Sequence, residues 1–460
     1  MRQADDDRRA QLGVSFAAQL PREIERVTWP LAQLWALRDQ RLRELIRQAK
    51  DHSPWHAKRL KHVDPNRLSG DDLSAIPTMT KADLMGNWNE IVTDRRLTLD
   101  LTTAHLQRCL AEGQPSLLLD QYVALATGGS SGHRAVIVWS AERFLEAITP
   151  SIAHGWRPMS PGRPPSEPVR ATVMASSPLH ASAVIVWMMK RDDTPIPVFP
   201  PSLPLEEIVS GLNRVQPTEL TIYPSMLRLL VEEVNAGRLR IKPDYIGCGG
   251  EPLLPDIRRA AESAFGVGIK NVYGLSEMGA IASSNPPLPG LHLLEHTGVY
   301  EPVDRDLRPV PPGVRASSLL VTNVLGCTLP IIRYQISDEV TFLAEPNPGP
   351  WSGRRIADIE GRVDEVFKYS NGSVVHPHVI RSTLAQVPAI VEYQVLQTAN
   401  SVDVLLRTSG GMDGPALAAK LTAALEGLGL RNVCPTITLV DRIERHPQSG
   451  KIKRFVPLTN

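Results

Sequence analysis

Short apolar runs alternate with amphipathic segments through the middle of the chain, and this alternation limits the fold more than any other feature of the sequence. The runs typical of strands are Arg170 to Ala175, Glu219 to Tyr223 and Tyr245 to Cys248. The segments with apolar residues at helical spacing are 205–214, 225–236 and 254–265. Strands that alternate with helices favour a largely parallel α/β sheet, because parallel neighbours need a long connection, usually a helix.

Both flanks of this region have patterns of their own. Residues 23–62 carry charges and leucines at helical spacing, which is typical of amphipathic helix with a solvated face. Ser317 to Asn323 and Glu339 to Leu343 are rich in strand formers and predict a small strand-rich subdomain. The C-terminal part mixes strand-like runs with one Ala/Leu-rich helix. We therefore predict two domains, 1–360 and 361–460.

The composition excludes several classes of function. The 50 Lys and Arg residues balance 49 Asp and Glu residues, so the surface as a whole does not attract nucleic acid or anionic membranes. The N-terminus has no apolar signal-peptide region, and the most apolar stretch, Ala181 to Met189, is too short to be a membrane helix. We expect a cytoplasmic protein that binds neither nucleic acid nor membrane. The cysteines lack the spacing of metal ligands, and we expect four reduced, mostly buried thiols: Cys109, Cys248, Cys327 and Cys434.

A glycine-rich segment lies between two strand-like runs, Tyr122 to Ala126 and Ala135 to Trp139. It reads Thr127, Gly128, Gly129, Ser130, Ser131 and Gly132. Glycines let backbone amides approach a ligand closely, and such a nest suits phosphate oxygens. The segment is not the phosphate loop of the P-loop NTPases, because that loop ends in Gly-Lys-Ser/Thr and opens a helix. A tight hairpin without a ligand is the alternative interpretation.

Further motifs follow along the chain. Gly249-Gly250-Glu251-Pro252 and Tyr273-Gly274-Leu275-Ser276-Glu277 each begin where a strand is expected to end, and ligands of open α/β sheets bind outside such ends. Three more motifs come later: Arg333 to Asp338, Gly361 to Glu365, and Ser449-Gly450-Lys451. Taken singly, each of these could be an ordinary loop or a basic surface segment.

Taken together and in this order, the motifs resemble those of the adenylate-forming superfamily, which includes acyl-CoA ligases, peptide-synthetase adenylation domains and luciferases. The branch of the phenylacetate–CoA ligases and coenzyme F390 synthetases is the most similar, because three further segments also fit it: His52 to His56, Ile76 to Leu84, and Gly290-Leu291-His292. The resemblance extends from residue 30 to residue 455. It implies a large N-terminal domain of mixed, largely parallel sheets and helices, followed by a small mobile α+β domain that carries the catalytic lysine.

The resemblance also implies a nucleotide site. Thr127 to Gly132 would bind the β- and γ-phosphates of ATP, and Ser276 would contact the α-phosphate. Asp338 would bind the ribose hydroxyls with support from Arg362. The residues expected around the adenine are Gly250, Glu251, Pro252, Tyr273, Gly274 and Leu275.

The resemblance implies roles for four further residues. Lys451 would reach the α-phosphate and the attacking carboxylate, and Glu277 would bind Mg²⁺. His180, in Ser177-Pro178-Leu179-His180, resembles a residue of the acyl pocket, although a histidine satisfied at a helix start is the alternative. Asp364 would be the hinge of the small domain.

The implied reaction is ATP-dependent adenylation of a small, aromatic carboxylic acid, with release of pyrophosphate and transfer to CoA. An already ionised carboxylate needs no catalytic base, but cations and oriented amides must stabilise the charge on the phosphate oxygens. Two departures stand out. Arg134-Ala135 replace the Pro-Lys that usually ends the phosphate loop, and Lys368 to Pro377 is longer than the loop that frames the pantetheine tunnel in CoA ligases.

The second departure keeps another acceptor open. The alternative is an adenylating enzyme of secondary metabolism that uses an amine or a carrier protein, or activates a non-carboxylate oxyanion, without CoA. A regulatory paralogue without turnover is disfavoured, because Glu277, Asp338 and Lys451 are all present. The resemblance leaves a homodimer open.

Overall fold

The computed structural model describes residues 2–127, 135–156, 168–189, 196–284, 286, 288–345, 351, 353–359, 365–387, 389–446 and 450–458. The N-terminal part contains the helices α1 (Arg2–Arg26), α2 (Leu31–His52), α3 (Pro54–Arg59), α4 (Lys81–Gly86), α5 (Trp88–Ile91), α6 (Leu99–Glu112), α7 (Ala141–Trp156), α8 (Ala181–Met189), α9 (Leu205–Val215), α10 (Pro224–Asn235) and α11 (Pro255–Phe265), and a 3₁₀ turn (Pro65–Arg67). Its strands are β1 (Tyr122–Ala126), β2 (Val136–Ser140), β3 (Arg170–Val173), β4 (Glu219–Ile222), β5 (Tyr245–Gly249), β6 (Ile269–Leu275), β7 (Gly279–Ser284), β8 (Leu291–Leu293), β9 (Gly298–Val303), β10 (Ser318–Asn323), β11 (Tyr334–Ile336) and β12 (Arg355–Ile356).

The helical segment predicted over 23–62 is divided into the end of α1, α2 and α3. The breaks lie at Pro30 and Pro54, which disfavour helical backbone in the preceding residue but fit the start of a helix. The Ser53 hydroxyl accepts a hydrogen bond from the backbone N–H of His56 and caps α3. The predicted stripe on α2 is confirmed by its buried apolar residues, Leu34, Leu42, Leu45, Ile46 and Ala49.

The largest sheet has seven strands in the order β12-β8-β7-β6-β5-β4-β3. Strands β3 to β6 are parallel neighbours, as the alternation predicted, whereas β7, β8 and β12 add antiparallel strands. Apolar faces of α9, α10 and α11 pack with the parallel strands in one core. The sheet is therefore mixed, and its parallel half carries the loops that the motifs occupy.

The strand-rich subdomain is a three-stranded antiparallel sheet in the order β11-β10-β9. The predicted run Ser317 to Asn323 corresponds to β10. Glu339 to Leu343 does not form a strand of this sheet; it makes only isolated bridges, from Thr341 to Arg315 and from Phe342 to Ile356.

The C-terminal part is a separate α+β unit. Its elements are β13 (Phe367–Lys368), β14 (Val374–Val375), α12 (Pro377–Leu384), β15 (Ile390–Gln397), β16 (Val402–Thr408), α13 (Gly414–Glu426), β17 (Thr436–Leu439) and β18 (Phe455–Val456). A four-stranded sheet in the order β17-β16-β15-β18 shares one core with α12 and α13. The domain boundary predicted at residue 361 lies outside the described residues.

The sequence predicted reduced, mostly buried cysteines and no membrane-spanning helix. All four cysteines are free thiols; Cys109 and Cys248 are buried, Cys327 is half-buried, and Cys434 is exposed. None of the helices that the structure describes has the length and apolar character needed to cross a bilayer.

Buried histidines make the fold sensitive to acid. Burial lowers the pKa of His56 to about 3 and that of His292 to about 4, with Arg59 and Arg355 adding to the respective shifts. Burial also holds the pKa of His154 well below its usual value. Below about pH 6.5 these histidines take up a proton in the unfolded chain but stay neutral in the folded chain. The free energy of unfolding is therefore highest above pH 6.5 and decreases as the pH falls toward the folded pKa values.

We therefore expect the melting temperature to fall between pH 7 and pH 5, with each histidine contributing up to about 1.4 kcal/mol per pH unit. Thermal unfolding of His292→Gln across this range should give a shallower pH slope than the wild type. His62→Gln, at an exposed position, is the matched control and should keep the wild-type slope. An identical slope in His292→Gln would contradict the assignment.

Candidate active site

The carboxyl ends of β4, β5 and β6 lie side by side. Ile222 is in register with Cys248, and Gly249 is in register with Val272. The residues that follow these strands therefore meet at one edge of the sheet. Gly249 is the last residue of β5, and Tyr273 to Leu275 are the last three of β6, so the motifs Gly249 to Pro252 and Tyr273 to Glu277 both lie at this edge. Tyr223, which the motifs do not contain, follows β4 at the same edge.

The hairpin of β1 and β2 lies beside this edge, and Thr127 directly follows β1. Thr127 closes its base, since its backbone N–H donates to the Ala135 carbonyl and its hydroxyl accepts from the Ala135 N–H, both at 2.9 Å. The Ala126 N–H donates to the Leu179 carbonyl at 2.9 Å, which ties the hairpin to the His180 segment. The five residues after Thr127 in the predicted phosphate loop lie outside the described residues: Gly128, Gly129, Ser130, Ser131 and Gly132.

Ser276 and Glu277 lie between the hairpin and the strand-rich subdomain. Trp139 Nε1 of β2 donates to the Ser276 carbonyl at 2.9 Å. Asn323 Nδ2, at the end of β10, donates to the Glu277 carbonyl at 2.8 Å. Hydrogen bonds from both sides fix the backbone of this turn. Glu277 is only 8% exposed, as expected for a carboxylate held at a fixed position inside a cleft.

Asp338 reaches the same region from the other end of the subdomain. It follows β11, is 4% exposed, and its Oδ2 accepts a hydrogen bond from the Tyr273 hydroxyl at 2.7 Å. A carboxylate accepts several hydrogen bonds, so a contact with Tyr273 is compatible with binding further hydroxyl groups. The predicted adenine residue and the predicted ribose residue are therefore in direct contact, although 65 positions separate them.

Lys451 is seated against the glycine motif. Its Nζ lies 5.6 Å from the centre of the Tyr223 ring. Gly250 has a φ of +76°, and a Cβ there would lie 3.3 Å from Lys451 Nζ and 3.0 Å from Tyr223 Cε1. Glycine is required at this position both by the backbone angle and by the close approach of the lysine.

The aromatic ring of Tyr223 packs against the ammonium group of Lys451. Its oxygen accepts from the Ala175 N–H at 3.3 Å and is hydrogen-bonded by Ser182 of α8. Burial raises the pKa of Tyr223 to about 12, so the ring remains a neutral phenol whose face can attract the ammonium group. The sequence interpretation missed Tyr223, although its position after β4 follows the same strand-end rule as the other motifs.

The Glu251 carboxylate contacts the start of α10. Its Oε2 accepts from the Ser225 N–H at 3.0 Å, in the first turn of α10. A carboxylate at this position satisfies a backbone donor that the helix itself cannot pair. The Glu251 side chain thus stabilises the start of α10.

His180 immediately precedes α8. Its N–H donates to the Ser177 carbonyl at 3.1 Å, and its carbonyl accepts from Ala183 and Val184 in the first turn of the helix. The side chain is half-buried. The residue lies beside the hairpin base through Leu179 and near Tyr223 through Ser182, so both a helix-start role and a pocket role fit its position.

The structure thus gathers most of the predicted site at one edge of the sheet. Two pairs of predicted residues are in direct contact there, Asp338 with Tyr273 and Lys451 with Gly250. The other predicted residues at this edge are Thr127, Ser276 and Glu277. Arg362 and the predicted hinge, Asp364, lie outside the described residues. Asn323 and Ser225 were not predicted, because an amide and a hydroxyl outside any motif carry no pattern that distinguishes them from surface residues.

Comparison with known proteins agrees with this geometry. Residues 93–321 match the model of a family described as AMP-binding enzyme. The chain is 25% identical over 391 residues to a phenylacetate-coenzyme A ligase of Thermus thermophilus, a match that covers 80% of this chain and 79% of that protein.

Solved structures of a 2-hydroxyisobutyryl-CoA ligase have the same fold. In its postadenylation state with a bound acyl-AMP, that enzyme matches 95% of this chain and 91% of its own, with a TM-score of 0.70 and 18% identity. In its thioesterification state the TM-score is 0.58, with 94% and 91% covered and 18% identity.

Proposed function

The chain belongs to the AMP-binding enzyme family, and on that basis we propose that it adenylates a small aromatic carboxylic acid with ATP, releases pyrophosphate and transfers the acyl group to CoA. The observation that carries the proposal is Lys451 Nζ, held over Tyr223 and against Gly250 at the edge where Glu277 and Asp338 also lie. A cation at this position suits a reaction in which two anions must meet.

Each of these residues would have a distinct role in the adenylation step. A carboxylate oxygen of the acid attacks the α-phosphorus of ATP, and the bond to the pyrophosphate leaving group breaks. Lys451 would hold the attacking carboxylate and an α-phosphate oxygen, because the charge on both is largest in the transition state. Asp338 would accept hydrogen bonds from the ribose hydroxyls, and Tyr273 would orient Asp338 while flanking the adenine.

Glu277 would supply the protein ligand of Mg²⁺. Mg²⁺ commonly binds through one or two carboxylates together with substrate phosphates and water. The single buried carboxylate of Glu277 fits that requirement, and in the described part of the chain no group of three or more potential ligands forms a metal cage. The ion would neutralise charge on the phosphates.

The proposal of an aromatic acid is supported by α8. Ser182, Val186 and Met189 share one side of this helix by their spacing, and Ser182 contacts the Tyr223 oxygen beneath the lysine. Val184 and Met188, on another side, are buried in the core. Beyond Ser182 this side of α8 is therefore apolar, which would suit an apolar acyl group, and the phenylacetate-coenzyme A ligase of Thermus thermophilus is consistent with an aromatic one.

The acceptor is the second part of the proposal. CoA is supported by the two ligases compared above. An amine or a carrier-protein thiol is the competing acceptor, because the stretch from Lys368 to Pro377 is longer than its counterpart in CoA ligases. In the structure this stretch contains the hairpin of β13 and β14, closed by a hydrogen bond from the Tyr369 N–H to the Ser373 carbonyl at 3.0 Å.

The test is pyrophosphate release with ATP, Mg²⁺ and a panel of acids that includes phenylacetate, benzoate, 2-hydroxyisobutyrate and acetate. The proposal predicts release with an aromatic acid and, after addition of CoA, loss of free thiol in equal amount. Release without thiol loss would replace CoA by another acceptor. Release only with the aliphatic acids would overturn the aromatic substrate, and no release with any acid would overturn the proposed activity.

His180 should act on the acid rather than on ATP. Because it lies between the hairpin base and α8, its loss should misplace the acyl group without altering the nucleotide site. We expect His180→Ala to lower kcat/KM for the acid by roughly 5- to 150-fold, while KM for ATP changes little.

Steady-state kinetics in both substrates, together with the melting temperature, would check this prediction. A lower melting temperature with normal kinetics in the folded enzyme would show that His180 only starts the helix. His62→Ala, at an exposed position far along the chain from the site residues, provides a histidine control for the change in side chain.

A further inference from the structure

Arg445 joins three separate parts of the molecule. Its Nη2 binds Glu392 Oε1 of β15 at 2.6 Å, and its Nη1 donates to the Gly450 carbonyl at 3.2 Å. The same Nη1 donates to the Ser225 hydroxyl of α10 at 2.8 Å. The first two contacts lie within the C-terminal unit, whereas the third crosses to the N-terminal part.

The contact with Gly450 acts on the segment that carries Lys451. Gly450 is the residue immediately before the lysine, and the Lys451 carbonyl accepts from the His446 N–H at 2.9 Å. Gly450 has a φ of +64°, and a Cβ there would lie 2.9 Å from Pro201. The turn therefore fits closely against the N-terminal part, with Arg445 bound to its carbonyl.

The contact with Ser225 reaches the glycine motif. Ser225 is 1% exposed, and its N–H donates to Glu251, the residue after Gly250. Arg445, Ser225 and Glu251 thus form a continuous chain of hydrogen bonds from the lysine turn to the loop that the lysine touches. A planar guanidinium suits this task, because its donors have fixed directions.

The arginine is held in place by its ion pair. Glu392 is 7% exposed, and the side chain of Arg445 is 12% exposed. Burial raises the pKa of Glu392, an effect that the neighbouring Arg445, Arg407 and Arg454 oppose. Breaking such a pair would leave a charge in a poorly solvated place, so Glu392 fixes the side-chain direction of Arg445.

Two further contacts join the two parts near this point. Arg228 of α10 donates to the Ile390 carbonyl at 2.9 Å, and Val391 packs into the core of the parallel strands. Arg445 adds a direct hydrogen-bonded link from α10 to the turn of Lys451. Loss of its bond to Ser225 would therefore loosen the turn without removing the lysine itself.

We propose that Arg445 is a positioning residue that holds Lys451 in the adenylation site by bridging Glu392, Gly450 and Ser225. The inference rests on the proposed function for the role of Lys451. The hydrogen bond between Arg445 and Ser225 crosses to α10, so it must break whenever the C-terminal unit moves away from that helix. The first half-reaction should then depend on Arg445, and transfer from a preformed acyl-adenylate should not.

The kinetic test compares Arg445→Ala and Ser225→Ala with the wild type. We expect Arg445→Ala to lower kcat for pyrophosphate release about 100-fold, as for a reacting group displaced by a small distance, with KM for ATP changed less than about threefold. Ser225→Ala, which keeps its backbone bond to Glu251, should show a smaller loss of the same kind. Transfer to CoA from a supplied acyl-adenylate should stay near the wild-type rate.

The controls separate positioning from general stability. Arg442→Ala removes an exposed arginine from the same segment and should leave both half-reactions unchanged. Arg445→Ala combined with Lys451→Ala should be no slower than Lys451→Ala alone, because the two residues act as a unit. Equal losses in both half-reactions together with a lower melting temperature would overturn the proposal, as would an unchanged rate of pyrophosphate release.

A distance measurement tests the inference without turnover. Spin labels on the exposed Cys434 and on Ser263→Cys, in a Cys327→Ser background, report the separation of the two parts. Arg445→Ala should shift the population toward a second distance, and Arg442→Ala should not. If the wild type activates no acid, the proposed function fails while this readout still decides the bridge; identical distance distributions would overturn it.

Discussion

Replacing Lys451 with alanine is expected to lower the rate of pyrophosphate release by about 10²–10³-fold, the usual loss when one preorganised charge is removed where negative charge develops. The lysine lies over Tyr223 and against Gly250, so its removal leaves the surrounding backbone in place. ATP binding and the melting temperature should therefore change little. Pyrophosphate release, ATP binding by calorimetry and thermal unfolding together check the prediction.

Lys453→Ala is the matched control for this variant. Lys453 is an exposed lysine two positions further along the same segment, so its replacement has the same effect on net charge. We expect wild-type pyrophosphate release from it. A rate for Lys451→Ala within twofold of the wild type would show that the lysine is not part of the reaction.

Replacing Asp338 with alanine should raise KM for ATP by roughly ten- to hundredfold, because hydrogen bonds to a charged group contribute about 1.5–3 kcal/mol each. The carboxylate is 4% exposed and is oriented by the Tyr273 hydroxyl at 2.7 Å. KM for the acid should change much less, since the ribose and the acyl group occupy different parts of the proposed site.

Tyr273→Phe is the companion variant, because it removes the hydroxyl that orients Asp338 and keeps the ring. It should raise KM for ATP less than Asp338→Ala does. The two changes should also be non-additive, since both act through one hydrogen bond. Steady-state kinetics at saturating acid measures all three enzymes, and an unchanged KM for ATP in Asp338→Ala would refute the ribose assignment.

The secondary structure of the central region followed from local pattern. The strands around Glu219 to Tyr223 and Tyr245 to Cys248 and the helices between them were predicted to within a few residues, because apolar spacing and prolines act over short distances along the chain. The strand-end rule then located Gly250 and Tyr273 at one edge. Family resemblance, rather than spacing, supplied the roles of Lys451, Glu277 and Asp338.

Some local expectations were wrong or incomplete for equally physical reasons. Glu339 to Leu343 has strand-forming residues but makes only isolated bridges, since a strand needs a partner of matching length as well as propensity. Glu251 belongs to a predicted motif, and its carboxylate also accepts the Ser225 N–H at the start of α10, a contact that the sequence did not predict. A sequence motif does not show which of its groups, backbone or side chain, faces a ligand.

The sequence by itself determined the alternation of strands and helices, the small C-terminal α+β unit and the motifs of the site. Only the tertiary structure decided the contacts between them: Lys451 against Gly250, Asp338 with Tyr273, and Arg445 with Ser225. Such pairs are separated by tens to hundreds of residues, so local pattern does not determine which residues meet. Their meeting depends on strand register and on how the C-terminal unit packs against α10, and both are set by the packing of the whole chain.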